Sequence, residues 1–107
     1  MAKQLTFTYG DKDYTLEYTR SSIRTMERQG FIADDISRKP MTTIPDMFAG
    51  AFLAHHSTTK RKQIDEIYEN LNGKLDLIAA LTEMYNDAVE TLIDSKDEGN
   101  ANWTKNW

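Results

Sequence analysis

Two five-residue runs, Leu5-Thr-Phe-Thr-Tyr9 and Tyr14-Thr-Leu-Glu-Tyr18, alternate large apolar with small or polar residues at the period of a half-buried strand. Between them stands Gly10-Asp11-Lys12-Asp13, four turn-forming residues. The pattern predicts a β-hairpin over residues 4–18, with Leu5, Phe7, Tyr9, Tyr14, Leu16 and Tyr18 on one face. A hairpin alone is marginal in water, so that face must pack on something else in the chain. Everything after residue 18 lacks alternation and reads as helix and connection. The constraint therefore selects an α+β fold, mainly α, in which about four helices cover one hairpin.

The first helix spans about 20–29. Thr19 or Ser21 caps it, Ile23 and Met26 face inward, and Gly30 supplies a left-handed stop. Residues 31–43 show no sustained period and read as a connection with a short extended piece. Pro45 at a first helical position opens a second helix over 45–56, whose inner side is Met47, Phe48, Ala51, Phe52 and His55. Ser57-Thr58-Thr59 offers a cap for a third helix over 60–71, with Ile64, Ile67, Tyr68 and Leu71 as its stripe. Asn72-Gly73 ends it. The longest helix runs over 74–95, its stripe being Leu75, Ile78, Leu81, Met84, Tyr85, Ala88, Val89 and Leu92. One domain over 1–95 is expected, followed by a flexible polar tail, 96–107, that carries Trp103 and Trp107.

Composition excludes several function classes. The 107 residues contain no cysteine, so disulfide frameworks, thiolate metal sites and thiol catalysis are absent. The longest apolar run, Leu77–Leu81, is far short of the roughly 20 residues a spanning helix needs, and Met-Ala-Lys-Gln-Leu-Thr carries no secretory signal. A cytoplasmic protein is expected. His55-His56 are adjacent, about 100° apart on a helix, and ill-placed to share a metal. No Gly-x-Ser-x-Gly, dinucleotide or phosphate-loop motif occurs, and the carboxylate pairs Asp34-Asp35 and Asp65-Glu66 read as solvated charge. No enzyme, metal or cofactor is expected.

Charge is more informative. The net charge is −4, yet residues 1–73 hold ten basic and ten acidic side chains, whereas 74–107 hold three and seven. On the last helix Asp76, Glu83, Asp87, Glu90 and Asp94 form one stripe with no basic residue answering it at four-residue spacing. Such self-repelling charge suits a solvated face or a basic partner. Arg20, Arg24 and Arg28 line one side of the first helix, with Glu27 beside Arg24. That stripe could meet phosphates, and a small nucleic-acid-binding regulator is the alternative reading. Trp103 and Trp107 each have roughly 150–250 Å² to bury and read as anchors for a groove.

The segments Leu5-Thr-Phe-Thr-Tyr-Gly-Asp-Lys-Asp-Tyr-Thr-Leu-Glu-Tyr-Thr-Arg20, Ile23-Arg-Thr-Met-Glu-Arg-Gln-Gly-Phe31 and Pro45-Asp-Met-Phe-Ala-Gly-Ala-Phe-Leu-Ala-His-His56 together resemble the tail assembly chaperones of long-tailed phages and prophages of Gram-positive bacteria. The resemblance covers roughly residues 4–95. It implies a non-enzymatic protein of the host cytoplasm, absent from the mature virion, that coats the tape measure protein and recruits tail tube subunits. It implies a homo-oligomer along that client, without membrane contact, and brings no catalytic motif. The partner-binding residues, Arg20, Arg24, Arg28, Asp76, Glu83, Asp87, Glu90, Asp94, Trp103 and Trp107, follow from the charge and aromatic pattern alone.

Overall fold

A computed structural model describes residues 3–93 and 101–107. Strand β1 (Leu5–Tyr9) pairs antiparallel with β2 (Lys12–Leu16), and four α-helices follow: α1 (Arg20–Arg28), α2 (Pro40–Gly50), α3 (Arg61–Asn70) and α4 (Lys74–Ile93). A 3₁₀ turn, Ala33–Ile36, lies between α1 and α2. The α+β, mainly α architecture with a long final helix is as the alternation and periodicity predict.

The hairpin turn is tighter than expected. Tyr9 pairs with Lys12, leaving only Gly10 and Asp11 in the turn, and Lys12 and Asp13 belong to the strand. Gly10 has φ 62° and Asp11 has no positive φ, the pattern of a type II′ turn, whose twist matches that of the strands. The expected face is real: Tyr14, Leu16 and Tyr18 are buried, and Leu5, Phe7 and Tyr9 are half-buried against the same core.

Thr19, not Ser21, caps α1. Its side chain accepts from the Ser22 N–H at 3.0 Å while Ser22 Oγ accepts from the Thr19 N–H at 2.8 Å, a reciprocal capping box. Gly30, at φ 96°, ends the helix as expected.

Helix α2 starts five residues before the expected position. Pro40, not Pro45, occupies the first turn, and Pro45 lies inside the helix. A proline there leaves the carbonyl four residues back without an N–H partner; that residue is Met41, which is fully exposed and within reach of water. Residues 40–43 are therefore helical rather than connecting. The α-helix also ends early, at Gly50, and the chain continues to His56 through turns bonded three residues apart, Ala51 to Phe48, Phe52 to Ala49 and Leu53 to Gly50. Helix α3 has Lys60 as its N-cap with no side-chain hydrogen bond, so the Ser57-Thr58-Thr59 cap does not form.

The core is aromatic and centred on α2. Phe7 stacks on Tyr14, Tyr14 meets Phe52 edge-on, Phe52 meets Phe48, and Phe48 meets Tyr68, with centroids 5.2–5.7 Å apart throughout. A second group joins Tyr18, Tyr85 and Phe31. The buried Tyr18 hydroxyl donates to the Met47 carbonyl at 2.5 Å, and burial raises its pKa far above the ordinary phenol value. On α4 the buried stripe is Leu77, Leu81, Met84 and Tyr85, with Ile78, Ala88 and Val89 packed beside it. Leu75 and Leu92 are exposed, contrary to expectation. Leu75 lies about 160° around the helix from buried Leu77 and so faces away from the core, whereas Leu92 keeps to the inner side but stands in the last turn, past the buried residues.

Candidate interaction surface

The outward side of α4 carries the acidic stripe. Glu83, Asp87 and Glu90 border an open trough with Ala79, Thr82 and Asn86, and Asp76 is exposed one turn beyond it. The stripe is answered from outside the helix. Lys3, just before β1, places its ammonium 3.1 Å from Glu83 Oε2. Its pKa is raised, chiefly by the hydrogen bond to Glu83 and further by the charges of Glu83, Asp87 and Glu90. One lysine against three carboxylates leaves the trough negative. Intrahelical spacing could not reveal this partner, because it comes from a residue eighty positions away in sequence. Asp94 lies outside the described residues, as do residues 96–100 of the predicted tail.

The basic stripe of α1 is not a continuous free surface. Arg20 reaches the end of α4, where its Nε donates to Thr91 Oγ1 at 3.3 Å and its Nη2 to the Thr91 carbonyl. A guanidinium there sets a positive charge against the C-terminal, negative side of the α4 dipole. Arg24 and Arg28 are exposed and make no side-chain hydrogen bond or ion pair among the described residues, so Glu27 does not neutralise Arg24. The charge of Glu27 instead acts on the Tyr85 hydroxyl, whose pKa burial, Glu27 and Asp34 raise in that order. Arg20 thus ties α1 to α4 through Thr91 rather than through an acidic residue of the stripe, and Arg24 and Arg28 are left outward.

Large apolar side chains are exposed at the end of α4, Leu92 on the side opposite the acids, and in residues 101–107. Leu92 is 70% exposed and Ile93 83%, while Trp103 and Trp107 are 85% and 93% exposed, and the Lys105 ammonium sits 4.6 Å above the Trp107 ring. The periodic stripe places Leu92 inward, since periodicity does not say where the packing beneath a helix stops, and Ile93 falls outside that stripe.

The histidine pair serves the fold. His56, not His55, turns inward: its Nε2 accepts the Thr15 N–H at 3.0 Å and its ring packs on Tyr14 and Phe52. His55 is exposed and bonds Glu17 Oε1 at 2.7 Å. Among the described residues no three potential metal ligands come together, and no helix is long and apolar enough to cross a membrane.

A cleft of about 350 Å³ opens where α1, α2 and α3 meet, with Met26, Phe31 and Ile64 as its apolar wall. Arg61 stands in its lining, held by Asp46 at 2.8 Å and Asp65 at 3.0 Å. The one guanidinium engages both carboxylates.

A family model described as a domain of unknown function, DUF5055, matches residues 1–107, and the chain belongs to that family. No curated protein and no solved structure matches it.

Proposed function

We propose that this DUF5055 protein is a non-enzymatic assembly chaperone of phage tail morphogenesis that binds the tape measure protein and recruits tail tube subunits. The observation that carries the reading is the outward side of α4. It is acidic over Glu83, Asp87 and Glu90 and, apart from Lys3, meets no covering element among the described residues. At the end of the same helix Leu92 and Ile93 are exposed on other sides. The acidic side suits a basic helical segment, whose complementary charge favours encounter, and the exposed apolar side chains at the helix end offer a separate contact for retention. Trp103 and Trp107 add further area for such a contact. The family resemblance in the hairpin and first two helices names the client. On this reading the protein works in the host cytoplasm as an oligomer along that client and leaves before the virion is complete.

Nucleic acid is the less favoured partner, because Arg20 is engaged with Thr91 and only Arg24 and Arg28 of the basic stripe remain available. The test is co-expression with the tape measure protein of the same phage or prophage. The client should become soluble and co-purify with the chain. Replacing Glu83, Asp87 and Glu90 together by lysine should abolish both effects while the variant keeps its fold. A client that stays insoluble with the wild-type chain, or a triple variant that rescues it equally well, defeats the proposal.

A further inference from the structure

The hairpin register fixes which backbone groups face away from it. Opposed residues in an antiparallel pair alternate between exchanging both hydrogen bonds and exchanging none. Tyr9 and Lys12 flank the two-residue turn as an exchanging pair, so Phe7 with Tyr14 and Leu5 with Leu16 exchange too. Thr6 opposite Thr15 and Thr8 opposite Asp13 do not. The N–H and C=O groups of Thr6 and Thr8 therefore point outward from β1, as those of Asp13 and Thr15 do from β2.

The two outer edges differ. Along β2 and its continuation, the Thr15 N–H donates to His56 Nε2 at 3.0 Å and the Glu17 N–H to the Ala51 carbonyl at 3.1 Å, so the segment after α2 covers that edge. Along β1, no group among the described residues bonds the backbone of Thr6 or Thr8 from outside, and both residues are exposed. Soluble proteins blunt open edges with proline, charged side chains, bulges or a covering loop. Leu5-Thr-Phe-Thr-Tyr9 has no proline or charge and pairs with β2 without a bulge.

The geometry points to β1 pairing with β1 of a second copy of this chain, antiparallel and centred on Phe7, into a continuous four-stranded sheet. The register selects a second copy as occupant. Centred on Phe7, Thr6 of each copy faces Thr8 of the other, and these are the residues whose backbone groups point outward, so both pairs exchange both hydrogen bonds. Phe7 then faces its symmetry mate and Leu5 faces Tyr9. The half-buried residues of the apolar face thus meet their like across the junction, and the threonines pair on the opposite face. No charged side chain on β1 opposes another. The contact is isologous and closes at a dimer. It is independent of the client proposed above.

Sedimentation of the full chain at micromolar concentration should show a dimer that persists at about 500 mM salt, where exposed charges are screened. Thr6→Pro removes one outward N–H and no bond of the hairpin, a substitution an edge strand tolerates. It should weaken dimerisation at least tenfold, and Thr6→Lys, which keeps the N–H but charges the edge, should weaken it too. In a mixture of labelled and unlabelled chains, an intermolecular NOE between Phe7 Hα protons should report the register. The proposal is overturned if the wild-type chain is monomeric up to millimolar concentration, if both variants dimerise like the wild type, or if the interchain NOEs arise elsewhere.

Discussion

The imidazole of His56 accepts the backbone N–H of Thr15 across 3.0 Å, tying the segment after α2 to the outer edge of β2. Only a neutral ring with a lone pair on Nε2 can do this. Its neighbour His55 holds Glu17, which also accepts from Gln4 at 3.0 Å, so adjacent histidines grip the same strand region by backbone and by side chain.

These contacts make stability fall with acid in two stages. Burial first, then the charges of Lys12 and His55, hold the His56 pKa below its ordinary value of 6.5. A depressed folded-state pKa means that the unfolded chain binds the proton more readily. The contribution of His56 is therefore complete above about pH 6.5 and lost as pH falls through the folded-state value. Hydrogen bonds from His55 and then Gln4 lower the pKa of Glu17 from 4.5, so its contribution is present above that pH and lost below it. Melting curves from pH 8 to pH 3 should show both declines. His56→Gln, which keeps an acceptor but cannot titrate, should flatten the first alone, and His56→Ala should cost about 1–3 kcal/mol at pH 8. An unchanged first decline in His56→Gln would place its origin elsewhere.

Gly50 stands where α2 passes α1. A Cβ at this position would lie 2.8 Å from Met26 Cγ and closer to Sδ and Cε. Alanine gains about 1 kcal/mol of helix propensity over glycine, but overpacking a buried site typically costs about 1–3 kcal/mol. Because Met26 is buried, overpacking should win, and Gly50→Ala should lower the urea midpoint. In a Met26→Ala background the same change should become neutral or stabilising. Additive effects in the double-mutant cycle would refute the steric account.

Phe52 touches Tyr14, Phe48 and the His56 ring and is 1% exposed. Phe52→Ala should cost roughly 3–5 kcal/mol by equilibrium unfolding. A loss below about 1 kcal/mol would mean that the aromatic chain through α2 is not the centre of the core.

What the sequence made legible follows from where local rules suffice. Alternation located both strands, Thr19 and Gly30 bounded α1, and three- and four-residue spacing located α3 and α4. The start of α2 was ambiguous because Pro40 and Pro45 each suit a first turn, and the dense apolar run after Pro45 favoured the wrong one. Both the third and fourth residues after Phe52 fall near its side of a helix, so spacing could not choose between His55 and His56. The outward N–H of Thr15, a tertiary partner, made the choice. The acidic stripe was legible residue by residue, whereas its pairing with Lys3 and the bond from Arg20 to Thr91 depend on how the chain ends and helices come together.

Trp103 and Trp107 are the chain's only tryptophans, and at 85% and 93% exposure they contribute little to the folded domain. Emission from the isolated protein should therefore be red-shifted and readily quenched by iodide. Trp103→Ala and Trp107→Ala should each leave the melting temperature essentially unchanged, since surface substitutions away from special features usually stay within about 0.5 kcal/mol. If the indoles anchor a client, adding the tape measure protein should shift the emission blue and protect it from iodide, and both alanine variants should bind more weakly. The helix end beside exposed Leu92 and Ile93 is the expected neighbour, so Leu92→Ser should reduce the blue shift as well. Blue, protected emission from the free protein would mean that the indoles are already covered by their own chain. A client complex that leaves the emission red would remove them from the contact.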